Sequence, residues 1–140
     1  MNNLIFTPED NNPKSNLEQF INFSKNQLTI FGNDCWENNQ WKTTFSIYPV
    51  QVRFSTERIK STAYKYEPLA APFIEFAKAY IRYTYSLNPI RNLARHIESL
   101  RIVEMALYNI KGKADILQLD YLVIHEVEKN IKKVRNQSIN

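Results

Sequence analysis

Two pairs of basic residues set the chemistry this sequence can do. Lys78 and Arg82 are four apart in "FAKAYIRY", and Arg91 and Arg95 are four apart in "NPIRNLAR". On a helix that spacing puts both members of a pair on one face. Two cations on one face, or at a helix N-terminus whose unpaired N–H groups point outward, suit phosphate oxygens. A solvated face with Glu75 and Glu98 as local partners is the plainer reading of the same residues. Arg58, Lys60 and Lys65 are interleaved with Tyr64 and Tyr66 in "STERIKSTAYKYEP", a composition that can hold a nucleic-acid backbone and stack on it, or serve as a merely polar linker.

Catalytic and metal chemistry find little material. His125-Glu126 begins a His-Glu-x-x-His pattern, but position 129 is Lys, which removes the second zinc ligand. His96 lies beside an apolar stripe and reads as a packed or half-exposed histidine. Cys35 is the single cysteine and lacks a base beside it, so it reads as a structural thiol and forms no internal disulfide. Two glycines, Gly32 and Gly112, cannot build a phosphate-cradling loop. The expectation is therefore no enzyme, no cofactor, no metal and no small-molecule substrate.

Charge placement sharpens the basic reading. Residues 1–52 hold three basic and five acidic residues, residues 53–113 eleven and five, and residues 114–140 four of each. The net charge of +4 thus conceals a middle segment at +6. Such concentration favours a polyanionic partner more than the total does. The start, "MNNLIFTPEDNNPKSN", lacks the basic and apolar runs of a signal peptide, and no stretch approaches a membrane span, so a cytoplasmic protein without a membrane partner is expected.

The elements that position these residues follow from periodicity. Residues 1–13, rich in Asn and Pro, predict a flexible tail. Ser15 and Glu18 have capping-box spacing and open a helix over about 15–26. Trp36 and Trp41 flank a turn-rich stretch and are placed to bury large apolar area. Trp41, Thr43, Phe45 and Ile47, then Val50, Val52 and Phe54, alternate with polar residues, which predicts one or two strands that Pro49 interrupts or confines to an edge. Leu69, Phe73, Phe76, Ala77 and Tyr80 predict a helix over about 70–87. Asn88 as cap and Pro89 at the first position predict the next helix, with Leu93, Ile97, Leu100, Val103 or Glu104, Leu107 and Ile110 inward and Gly112 at its end. Arg101, three before Glu104, suits a weak pair within that helix. Asp115 caps a short turn, and Asp120 a last helix to about Val134 that buries Leu119, Leu122, Val123, Val127, Ile131 and Val134. Tyr83, Tyr85 and Tyr108 fall off the stripes and suggest an exposed aromatic patch.

"PFIEFAKAYIRY", "HIESLRIVEMAL" and "ADILQLDYLVIHEVEKNI" together resemble the N-terminal region of phage-type integrases, the tyrosine recombinases. The likeness rests on Phe76 to Tyr80, Arg82-Tyr83, Leu100-Arg101, Glu104, Ala106 and Leu107, and covers about residues 68–134. It implies a mainly α fold: a small helical bundle, the SAM-like core-binding domain, over 67–136, preceded by a 14–66 appendage with a short helix and a strand or hairpin. It also implies a DNA-binding role, with double-stranded DNA as partner and self-association on DNA. Lys78, Arg82, Arg91 and Arg95, then Arg58, Lys60 and Lys65, are the expected contacts. The family's catalytic domain needs a His-x-x-Arg element and a nucleophilic tyrosine. Here His96 leads to Ser99 and His125 to Glu128, so the chain by itself is expected to cut nothing, whether it is a fragment or a stand-alone relative. The competing expectation is a helical interaction or dimerisation module that binds no DNA.

Overall fold

The computed structural model describes residues 5–55 and 67–139, with side chains to residue 133. Its order is α1 (Pro13–Asn26), β1 (Gln40–Phe45), β2 (Tyr48–Arg53), α2 (Phe73–Leu87), α3 (Ala94–Lys111), a 3-10 turn (Ile116–Gln118) and α4 (Tyr121–Ile139). The chain is mainly α with one antiparallel hairpin, as expected.

α1 starts earlier than the capping-box reading had it. Asn12 is the cap, its Oδ1 accepting from the Lys14 and Ser15 N–H groups at 2.9 and 3.3 Å, and Pro13 fills the first turn where no N–H is needed. Ser15 instead donates to Asp10 at 2.5 Å. The preceding residues are docked rather than loose. The Phe6 N–H donates to the Tyr83 hydroxyl at 3.0 Å, and the Phe6 ring sits 5.3 Å from Phe20 and 5.5 Å from Phe23. The flexible tail expected over 1–13 therefore does not describe residues 5–12.

The period-two stretch, read as one or two strands, forms two that pair antiparallel. Trp41 faces Val52 and Thr43 faces Val50 across the ladder, and Trp41, Val50, Val52 and Phe54 are buried. Trp41 packs edge-on against Phe54 at 4.7 Å. Pro49 lies inside β2 opposite Thr44. A two-stranded sheet has only edges, so a residue without an N–H is tolerated there. Ile47 is no strand residue: with Ser46, at φ 58°, it forms the turn and is 83% exposed.

α2 is the central helix. Phe73, Ala77, Ala79, Ile81 and Tyr85 are buried on it, and Phe76 and Tyr80, read as core, are half-buried. The Ala71–Pro72 peptide before it is cis. α3 does not start at Asn88-Pro89. Asn88 ends α2, its N–H bonded to the Thr84 carbonyl, and five residues pass before α3 opens at Ala94. Ile97, Leu100 and Leu107 face inward, whereas Ile110 is exposed. Gly112 closes the helix in the left-handed region at φ 75°, where a side chain would be strained.

Asp115 and Asp120 cap as read, accepting from Leu117 N–H at 3.0 Å and Val123 N–H at 3.1 Å. The inward stripe of α4 is narrower than expected. Val123 is buried and Val127 and Ile131 are half-buried, but Leu119 and Leu122 face outward; the Val134 side chain lies outside the described ones. One buried cluster runs from Phe31, Trp36, Trp41 and the hairpin through α2 and α3 to Val123, so the core crosses the boundary expected between the 14–66 appendage and the 67–136 helices.

Candidate nucleic-acid interface

Lys78 and Arg82, the first pair expected on phosphate, lie inside the protein at 3% and 4% exposure. The turn between α1 and β1 brings Trp36, and β1 brings Trp41, over α2, where these two cations meet them. Lys78 Nζ donates to the Trp36 carbonyl at 2.7 Å and lies 5.9 Å from the Trp41 ring and 5.6 Å from the Phe54 ring. The Arg82 guanidinium sits 5.1 Å from Trp36 and 4.5 Å from Trp41 and donates to the Lys25 and Phe31 carbonyls at 3.3 and 3.5 Å. Glu75, one turn before Lys78, accepts from the Trp36 indole N–H at 3.2 Å.

These residues form an internal staple. Their charges bond backbone carbonyls that α1 and its following turn leave open, including one in the last turn of α1. The aromatic faces supply attraction that desolvation strengthens. Burial is the first cause pushing the Lys78 ammonium below its usual pKa, with Glu75 opposing it; burial likewise lowers Arg82, with Asp34 opposing. Neither side chain reaches a DNA backbone in this fold. The sequence carried a signal for this that the spacing argument missed. Ile81, Tyr85, Ala77 and Ala79 surround the pair on the helix surface, and two tryptophans precede it.

Arg101 and Glu104 confirm a pair within α3, but a buried one. Arg101 donates to Glu104 at 2.5 Å with both side chains 1% exposed. Arg101 also reaches the Glu67 carbonyl, and the other Glu104 oxygen accepts from the Ala70 N–H at 2.5 Å. The pair pins the chain entering α2 onto α3.

Arg91 and Arg95 are the expected contacts that the structure leaves on the surface. Arg95 lies in the first turn of α3, which has no acidic residue; its Leu93 N-cap offers no side-chain bond, but the Asn92 Oδ1 accepts from the Ala94 N–H at 2.9 Å. Arg91 lies in the link before it, its guanidinium stacked 3.8 Å from the Tyr48 ring at the hairpin tip. That stack fixes the hairpin beside the start of α3. Arg58, Lys60 and Lys65 lie outside the described residues.

Of the three tyrosines expected on the surface, Tyr85 is buried, which raises its hydroxyl pKa, and Tyr83 is half-buried and holds Phe6; Tyr108 alone is exposed. The expected aromatic patch is thus not formed. His96 is half-buried, its ring 6.3 Å from Tyr80. Cys35 is exposed and donates to Glu37 at 2.8 Å, which is the main cause holding that carboxyl below its usual range. Among the described residues no three metal-ligating side chains gather, and no helix is long and apolar enough to cross a membrane. Compared with protein-family models, curated proteins and solved structures, the chain matches none.

Proposed function

We propose that this chain is a DNA-binding module of the kind its helices resemble, the SAM-like core-binding region of a tyrosine recombinase. It holds duplex phosphates through the start of α3. One observation carries the reading. Arg91 and Arg95 are exposed and four residues apart where α3 begins without an acidic residue, the Asn92 Oδ1 accepting from the Ala94 N–H. A helix start of this kind attracts an anion through its partial positive charge, and the two guanidinium groups add charge and fork geometry. Arg58, Lys60 and Lys65, expected on phosphate from the sequence, lie outside the described residues.

Lys78 and Arg82 leave that footprint and become its scaffold. With Arg101 also internal, three of the eight described cations in residues 53–113 are inside the protein, so fewer phosphates are engaged than the sequence suggests. Contacts of this sort give affinity and register and little sequence preference. The module cuts no DNA by itself. A titration of labelled duplex by fluorescence anisotropy tests the reading. Binding is expected at about 50 mM salt, with steep weakening as salt rises, because each neutralised phosphate releases counterions. No binding at that salt would remove the reading.

A further inference from the structure

The tip of the hairpin reaches out beside the arginines of α3. Phe45 and Tyr48 close the ladder, so Ser46 and Ile47 form a two-residue turn, with Ser46 in the left-handed region at φ 58°. Such turns are usually built from glycine, asparagine or aspartate. This one carries a β-branched apolar side chain that is 83% exposed. The root of the ribbon is fixed, because Trp41, Val50, Val52 and Phe54 are buried in the core. The tip is held as well, the Arg91 guanidinium lying 3.8 Å from the Tyr48 ring. A guanidinium that stacks through its face keeps its N–H fork for a phosphate.

We propose that this tip is a DNA wedge: the turn enters the minor groove and Ile47 slips between two base pairs, kinking the duplex. The inference rests on the phosphate reading above, since Arg91 and Arg95 hold the flanking backbone. The dimensions suit it. Paired strands lie about 4.8 Å apart, so a two-residue turn is narrow enough to start into a groove about 6 Å wide. A kink toward the major groove then opens the minor groove further, and isoleucine is among the side chains that unstack a base step in this way.

Charge selects the partner. Residues 38–55 include no carboxylate, and Lys42 and Arg53 are exposed on the ribbon. Residues 88–97, which lead into α3, include none either; the half-buried Glu98 is the first. Asp34 meets the ribbon at its root, accepting from the Lys42 N–H at 2.6 Å. A surface of this sign suits the phosphates on either side of a wedge. An anionic membrane fits it less well. Ile47 and Tyr48 are the exposed large apolar residues at the tip, too few to hold a bilayer when a whole acyl chain does so only marginally.

Anisotropy titrations at about 50 mM salt, on two short duplexes of one sequence, test it. One duplex is fully paired; the other carries a central bulge of two unpaired adenines, which kinks it in advance and fixes the register. The parent should bind the bulged duplex several-fold more tightly. It should also bring the end labels of the paired duplex closer, read by energy transfer. Ile47→Ser should lose both the preference and the bend. Its melting temperature and salt slope should stay those of the parent, because the residue is exposed and meets no phosphate. Ile47→Leu should retain preference and bend. A parent that binds both duplexes equally, or leaves the paired one straight, overturns the wedge and leaves the phosphate reading standing. So does an Ile47→Ser variant that keeps the preference and the bend. A parent that binds neither duplex removes the phosphate reading and the wedge with it. Binding to phosphatidylserine vesicles that Ile47→Ser weakens, with DNA binding unaltered by the same change, would hand the tip to a membrane and overturn the wedge too.

Discussion

Replacing Lys78 by alanine should unfold this protein more readily, and the size of the effect follows from its surroundings. The side chain is 3% exposed, with one hydrogen bond to the Trp36 carbonyl and two aromatic faces beside the ammonium. Alanine removes three buried methylenes beyond Cβ, about 2.4 kcal/mol at 0.8 each. It also leaves the Trp36 carbonyl without its donor, which costs about 1–3 kcal/mol. Lost attraction to the Trp41 and Phe54 rings adds about 1–2 kcal/mol. Against these stands relief from desolvating an ammonium, a cost of several kcal/mol. The net expectation is a loss of about 2–4 kcal/mol. For a chain of this size that lowers the melting temperature by about 3–4 °C per kcal/mol. Lys78→Met separates the contributions, since it keeps the stem and removes the charge; its cost should fall below about 1 kcal/mol. Arg91→Ala and Arg95→Ala are the controls, at no more than about 1 kcal/mol even with the Tyr48 stack lost. Urea melts followed by circular dichroism measure all four. If Lys78→Ala changes stability by under about 0.5 kcal/mol, the side chain is not in the core and the staple described above is wrong.

Other predictions follow from neighbouring contacts. Glu104→Ala leaves the Arg101 guanidinium buried beside an unpaired Ala70 N–H and should cost about 3–5 kcal/mol in the same urea melts. Leu100→Ala, in the inward face of α3, should cost about 2–5 kcal/mol, read as a lower urea midpoint with an unchanged slope. The Lys78 pKa is lowered below 10.5 in the fold by burial, so the unfolded chain binds the proton more tightly than the folded one. Stability from this group is therefore least at pH values below the folded pKa and rises as pH climbs toward 10.5. The difference in stability between parent and Lys78→Met should accordingly shift in favour of the parent across that window; a flat difference would show Lys78 to be solvated.

The sequence made some of this legible, and the reasons differ by element. Period-two alternation from Trp41 to Phe54 marked strand, one or two, because one face must be buried and a one-residue slip would expose it. Asp115, Asp120 and Gly112 marked ends correctly because each satisfies a local backbone need. Asn88-Pro89 carried an equally good local signal and failed, since α2 had already claimed Asn88 as its end. Ser46-Ile47 gave no glycine or asparagine cue for a two-residue turn, so Ile47 was read as strand. The larger miss concerned charge. Helical spacing shows that Lys78 and Arg82 share a face; it does not show that a tryptophan from the preceding turn and another from β1 cover that face. α4 failed in the opposite sense. Its apolar residues spread around the helix, and periodicity assigned Leu119 and Leu122 to a core that only Val123 fully enters.

The central claim is that the start of α3, and not the middle of α2, meets DNA phosphate. Anisotropy titrations of duplex DNA at a series of salt concentrations, run on the parent and on Arg91→Ala, Arg95→Ala together, test it most directly. The account predicts that the double variant keeps its melting temperature within a few degrees, binds more weakly at every salt, and loses about 0.9 from the log–log salt slope for each phosphate contact removed. A double variant that binds with the affinity and salt slope of the parent would contradict the account.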